Sequence, residues 1–182
     1  MDFIEIAKKR YSVRSYKDKK VEEEKLKKIL EAAHVAPTAA NLQPIRLLTV
    51  QSKEGLGKIG KGANLYGAPL AIIVCADHKK AWVRPFDKKR TTDIDASILT
   101  DHMMLQATEL ELGSVWICYF KPDVICREFG LPDHLEPVNI LAVGYPNEEA
   151  ADPERHSQTR IPVEELNMSA PFSSAEKEIG LQ

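Results

Sequence analysis

Long apolar runs are missing from this 182-residue chain. No stretch of about 18 apolar residues occurs, so the sequence offers no membrane-spanning helix. The opening MDFIEIAKKR lacks the apolar centre of a secretory signal. An excess of either charge is missing too: 25 Lys and Arg face 27 Asp and Glu, a net charge of -2. That balance gives no electrostatic drive toward nucleic acid or an anionic membrane. Cysteine is sparse. Cys75, Cys118 and Cys126 are odd in number and widely spaced, which fits neither a disulfide framework nor a metal knuckle. The five histidines are scattered without ligand spacing. Internal repeats and low-complexity tracts are absent. The expectation is a cytoplasmic protein with reduced thiols, no metal, no nucleic-acid partner and no membrane partner.

What is present is a 43% hydrophobic chain, enough for one sizeable core. Asp2 and Glu5 form an Asp-x-x-Glu capping pattern ahead of a helix over 3–9. Residues 22–34 place Leu26, Ile29, Leu30 and Ala33 on one helical face, with Glu23–Lys27 and Glu24–Lys28 pairs on the wet side. VAPTAANLQP (35–44) is a proline-bounded loop. IRLLTVQ (45–51), LAIIVCA (70–76), SVWICYF (114–120) and VNILAVGYP (138–146) read as strands. The second is apolar throughout, as in a strand covered on both faces. Thr92 and Asp95 open a long helix over about 93–112, too apolar for one stripe, which Gly113 ends. Pro122 to Phe129 is a short helix closed by Gly130. After Pro146 the chain turns polar and proline-punctuated, with one short helical turn near PVEEL. Strands and helices in this mixture argue for an α/β or mixed α+β sandwich.

Two stretches invite phosphate. In RYSVRSY (10–16), Arg10, Ser12 and Arg14 stand at every second position, hence on one side of an extended chain, opposite Tyr11, Val13 and Ser15. Two planar guanidinium forks and a short hydroxyl suit a phosphate dianion. An exposed strand edge carrying arginines for solubility has the same spacing. The second stretch is GLGKIG, a literal Gly55-x-Gly57-x-x-Gly60 with Asp77 22 residues after Gly55. A dinucleotide-binding Rossmann turn has this pattern. Against it, three residues separate the preceding strand from Gly55. The following KGANLYGAP is also too broken for a crossover helix.

Arg10-Tyr-Ser-Val-Arg14, APTAANLQP, the long helix, GSVWICYF, ILAVGYP and TRIPVEEL stand in an order that resembles the FMN-dependent nitroreductase family, from residue 3 to about 166. The resemblance implies an α+β sandwich: a central, mostly antiparallel sheet flanked by helices, in an intertwined homodimer with FMN at the interface. It implies one FMN domain over 1–166 and a C-terminal arm, 167–182, reaching across the partner. It assigns Arg10 and Ser12 to the phosphate and ribityl chain, and Arg14 to the phosphate or the pyrimidine edge of the ring. Pro37, Thr38, Ala39 and Asn41 of the second subunit line the flavin, and Gln43 shapes the pocket. Lys61 and Asn64 lie near the pyrimidine. Trp116, Ile117 and Cys118 bring backbone amides toward N5 and O4, and Arg160 reaches the phosphate. The chain departs from the family at Ala39, where some members carry Ser, at Ile45, where many carry an aromatic, and at Gln158, where some carry Lys.

The implied chemistry is hydride transfer from NAD(P)H to flavin N5, then ping-pong reduction of a small acceptor such as a nitroaromatic or a quinone. No side chain acts as nucleophile or dedicated acid. The segment HKKAWVRPFDKKRTT (78–92), with Trp82, Phe86 and five Lys and Arg between 79 and 89, stands where the family builds a substrate lid. A basic, aromatic lid suits flat anionic molecules or the cofactor's phosphates; a solvated loop reads the same way. Two other classes stay open: a Rossmann-type NAD(P) enzyme using Gly55, Gly57 and Gly60, and a non-catalytic flavin-binding protein.

Overall fold

Asp2 and Glu5 start the fold as their spacing predicts. Glu5 N–H donates to Asp2 Oδ1 at 2.9 Å and Asp2 N–H to Glu5 Oε2 at 3.1 Å, a closed capping box on α1 (Phe3–Lys9). The structure is a computed structural model, and it describes residues 2–167. Helix α2 (Glu23–Val35) follows, then a short 3-10 turn (Ala39–Asn41), β1 (Ile45–Val50), α3 (Lys53–Gly60) and β2 (Leu70–Asp77). The chain continues through α4 (Thr92–Glu109), β3 (Gly113–Ile117), α5 (Pro122–Phe129) and β4 (Leu135–Gly144). The described chain divides into two compact units between Ala151 and Asp152. The second holds a 3-10 turn (Pro153–Arg155), α6 (His156–Thr159) and α7 (Val163–Leu166). Helix α7 is the turn expected at PVEEL. The turn at 153–159 was not anticipated, although Asp152 caps it by accepting from Glu154 N–H at 2.8 Å. The expected arm lies outside the described residues apart from Asn167.

The sheet order is β1-β2-β4-β3 and every neighbouring pair is antiparallel. The α+β class follows as expected. Strand β2 shows why its sequence does not alternate. Leu70, Ile72, Val74 and Ala76 enter the core under α2 and α4, while Ala71, Ile73 and Cys75 enter the core that includes Val13, Ile59 and Ile125. Both faces are covered, so every position must be apolar or small. In α2, Ile29 and Ala33 are buried with Leu26 and Leu30 against them, the predicted stripe. No helix among the described residues is long and apolar enough to cross a membrane.

Three boundaries differ from expectation. Helix α4 stops at Glu109, and the reversal falls on Glu111 at φ +62°, not on Gly113. Gly113 is instead the first residue of β3. A Cβ there would lie 2.5 Å from Val13 Cγ2 and 2.8 Å from Pro146 Cγ, so close packing demands the glycine. Strand β3 ends at Ile117 rather than residue 120, and β4 begins at Leu135 rather than residue 138. Gly55, Gly57 and Gly60 all lie inside α3, which joins two antiparallel strands. A βαβ dinucleotide turn needs parallel strands, so the Rossmann alternative is corrected here.

Candidate functional site

At Arg10 helix α1 unwinds into extended backbone, with Arg10 N–H still donating to Ile6 O at 3.0 Å. Ser12 then bridges Ser114 on β3, and Tyr16 bridges Pro146 beyond β4. Val13 is fully buried, which points its neighbours Ser12 and Arg14 away from the core. The alternation predicted for this stretch breaks after Arg14, because Tyr16 is buried too. Arg10 and Ser12 are half-buried and Arg14 is exposed. The Arg14 guanidinium donates to Ser12 O at 3.3 Å, and its backbone N–H donates to Glu148 at 3.1 Å. Burial first, then the Glu148 charge, push the Tyr11 and Tyr16 hydroxyls above their ordinary range. Nothing in the local pattern around Glu148 pointed to its contact with Arg14, which joins residues 134 apart in the chain.

Strand β3 lies at the edge of the sheet, so this stretch runs along an otherwise open border. Ser114 and Trp116 pair with Val143 and Leu141. The Ser114 hydroxyl and the Trp116 indole N–H are buried without a hydrogen-bond partner in the described structure. Asn139 Nδ2, in the core beside Thr100, is likewise unpaired. Ile117 is buried and Cys118 exposed at the strand end. Ala63 bridges Phe120 and Lys121 N–H donates to Gly62 O, which sets 61–64 beside the chain just past the end of β3. Lys61 Nζ sits 2.7 Å from Glu128 on α5 and holds that carboxyl below its ordinary range. Asn64 Oδ1 caps a turn by accepting from Tyr66 N–H at 2.9 Å.

The 37–43 loop is strained and self-tied. Ala40, Asn41 and Gln43 all have positive φ, near +50°, although none is glycine. Such backbone persists only where its surroundings over-determine it. Thr38 Oγ1 accepts Gln43 N–H at 3.1 Å, and Gln43 Nε2 donates to Asn41 O at 3.2 Å. Ala39 N–H donates to Asp95 Oδ1 at 2.9 Å. Asp95 is 1% exposed, and its other oxygen accepts from Thr91 Oγ1 at 3.0 Å. The sequence reading gave Asp95 only a part in opening α4; the cap residue is Thr91. The signal was available: Asp95 shares the helical stripe of Leu99 and Met103, where a carboxylate needs a partner. Thr38 and Ala39 are half-buried, while Pro37, Asn41 and Gln43 are exposed. A cavity of about 250 Å³ opens beside them, lined by Thr38, Gln43, Ile45 and Arg46 among others.

Within one chain the two groups do not meet. Ser12 lies level with Ser114, Val143 and Leu70 at one end of the sheet. The loop enters at the other end, where Pro44 O accepts Asp77 N–H. Leu70 to Asp77 spans seven residue steps, about 24 Å along the strand. Arg10, Ser12 and Arg14 lie along β3 beside Ser114. Trp116, Ile117 and Cys118 follow along that strand and its end, and Lys61 and Asn64 flank Ala63, which bridges Phe120 beyond it. Pro37, Thr38, Ala39, Asn41 and Gln43 lie together in the loop ahead of β1. Arg160 follows α6 in the second unit, exposed, with its N–H on His156 O at 3.1 Å.

The family model described as "Nitroreductase family" matches residues 7–64 and 58–145. The chain belongs to the nitroreductase family. It is 59% identical to a nitroreductase family protein of Clostridium difficile 630, whose crystal structure superposes with a TM-score of 0.92 over 95% of this chain and all of the other. An FMN-dependent nitroreductase from Clostridium difficile R20291 is 33% identical, with a TM-score of 0.74 over 88% of this chain and 98% of the other. An FMN reductase [NAD(P)H] of Bacillus subtilis is 30% identical over 86% of this chain and 68% of its own length. These likenesses agree with the antiparallel sheet and with the resemblance read from RYSVRSY and APTAANLQP.

Proposed function

We propose that two copies of this nitroreductase-family chain build each active site, one giving the Arg10–Arg14 border of β3 and the other the Thr38–Gln43 loop. The observation that carries this is their separation at opposite ends of one sheet. A single flavin can touch both only if they come from different chains. The protein is an FMN-dependent NAD(P)H oxidoreductase, in keeping with its family and with the FMN reductase among its relatives. The donor set fits FMN: two guanidiniums and a hydroxyl for the phosphate, and two unpaired buried donors, Ser114 Oγ and Trp116 Nε1, on the same strand.

FMN held here would supply hydride chemistry between NAD(P)H and a small acceptor such as a nitroaromatic or a quinone, in a ping-pong cycle. The chain's own task is placement and charge. Arg10, Ser12 and Arg14 hold the phosphate end. The cation of Arg14 or Lys61 balances the negative charge that reduction adds to the ring's pyrimidine end. Lys61 reaches that role by leaving Glu128, an exposed pair that contributes little by itself. Thr38 and Asn41, locked by their own loop, present polar groups at low entropic cost. Pro37 and Ala39 keep the contact surface close, and Gln43 fixes Asn41.

Mixing two defective variants tests the shared site. Arg10→Ala/Arg14→Ala alone and Thr38→Ala/Asn41→Ala alone should both lose FMN. After refolding together in equal amounts, about one quarter of the sites should regain it, because each mixed dimer has one intact composite site. No recovery, with dimers formed, contradicts the shared site.

A further inference from the structure

We propose that Glu148 is a positioning residue for the phosphate seat: its carboxylate holds the backbone N–H of Arg14 and so sets where that guanidinium points. This deepens, and rests on, the assignment of Arg10, Ser12 and Arg14 to the phosphate of FMN. The stretch from Arg10 to Lys17 belongs to no named strand and is held from outside. Val13 N–H donates to Ser114 O at 3.0 Å, Asn147 N–H to Ser15 O at 2.9 Å and Lys17 N–H to Tyr145 O at 2.9 Å, while Tyr16 bridges Pro146. These contacts run from backbone to backbone. Arg14 differs. Its N–H donates to Glu148 Oε1 at 3.1 Å, a side chain reaching back from just beyond β4.

Arg14 and Glu148 are both exposed and opposite in charge. Side chains placed this way ordinarily meet head to head. Here they do not: among the described residues neither belongs to an ion pair. The Arg14 guanidinium turns back along its own chain and donates to Ser12 O at 3.3 Å, toward the residue assigned with it to the phosphate. Glu148 thus engages the backbone of Arg14 and leaves most donors of the fork for an anion. The charge of Glu148 is also felt at Tyr11 and Tyr16, where it adds to burial in raising the hydroxyls, so the carboxylate flanks the whole 11–16 stretch. The fork stands at the end of a long flexible side chain, and a fixed backbone narrows where it can reach before any ligand arrives. A carboxylate near a phosphate also repels it. The contribution of Glu148 to the seat therefore lies in its acceptor and not in its charge.

FMN and riboflavin differ by the phosphate. Both are titrated into the full-length protein stripped of flavin, and Kd is read from the quenching of flavin fluorescence. Glu148→Ala should weaken FMN about fivefold and leave riboflavin within about twofold. Glu148→Gln keeps an acceptor for the Arg14 N–H and removes the repelling charge, so it should bind FMN no more weakly than wild type. In an Arg14→Ala background, Glu148→Ala should change FMN affinity by less than about twofold, because the fork it positions is gone. The full effect of Glu148→Ala in that background overturns the proposal. So does an equal loss of FMN and riboflavin, a loss in Glu148→Gln as large as in Glu148→Ala, or no effect of Glu148→Ala. Each of these leaves the FMN assignment standing. A wild type that holds FMN no more tightly than riboflavin, or takes up neither, overturns the phosphate assignment itself before any variant is read.

Discussion

Asp95 accepts the backbone N–H of Ala39 at 2.9 Å from within the first turns of α4, and so ties the long helix to the strained loop. Its second oxygen accepts from Thr91 Oγ1, the residue that caps α4. Removing the Asp95 carboxylate should harm more than stability. Asp95→Ala leaves a backbone N–H without its acceptor and should cost about 2 kcal/mol in a urea melt. It should also weaken FMN binding, because the positive-φ loop loses its outside anchor. Asp95→Asn can accept from Ala39 with its amide oxygen and donate to Thr91 with its amide nitrogen, so it should recover most of both. Equal damage in the two variants would show that the charge, not the hydrogen bond, is what the loop needs.

The glycines separate into those the packing requires and those it tolerates. Gly113→Ala would press a methyl group 2.5 Å from Val13 Cγ2, and should cost about 1–3 kcal/mol and disturb the Arg10–Arg14 border behind it. Nothing lies within 4 Å of a Cβ on Gly57, in the middle of α3. Gly57→Ala should therefore stabilise by about 0.5–1 kcal/mol through helix propensity. NAD(P)H oxidation should not change. A loss of NAD(P)H binding in Gly57→Ala would bring the dinucleotide-turn reading back.

Glu22 gives a handle on acid stability. Tyr145 Oη donates to its carboxylate at 2.7 Å, and that bond, with help from Lys19, lowers its pKa from the ordinary 4.5 to about 2. A carboxyl depressed in the folded state contributes stability above the unfolded value and loses it as pH falls toward the folded value. The difference in stability between wild type and Tyr145→Phe should thus be complete above about pH 4.5 and vanish near pH 2. Denaturant melts across that window check it; a constant difference would contradict the assignment. The group is exposed, so added salt should shrink the effect.

Much of this was legible in the residues. The capping box at Asp2 and Glu5, the stripe of α2 and the two-sided burial of β2 follow from periodicity and local hydrogen bonding. The Arg10–Arg14 stretch and the 37–43 loop stood out only through the order of motifs along the chain, because alternate arginines on an exposed strand edge have the same spacing without a ligand. Their separation was not visible, since strand register is a long-range property that no local pattern encodes. Glu148 escaped for the same reason, and so did the partner of Asp95, whose place in an apolar stripe shows only that a partner is needed. Each meets its partner across 56 or 134 residues of chain. The end of α4 was misplaced because Glu111 adopts a left-handed turn usually given to glycine, while Gly113 serves close packing instead.

The most direct test is the visible spectrum of the purified protein before and after anaerobic addition of NADPH or NADH. The account predicts a yellow protein with oxidised-flavin absorption that bleaches when the nicotinamide is added. A protein that holds FMN but never bleaches would be a flavin carrier and not an oxidoreductase. A colourless protein that also fails to take up added FMN would contradict the central claim.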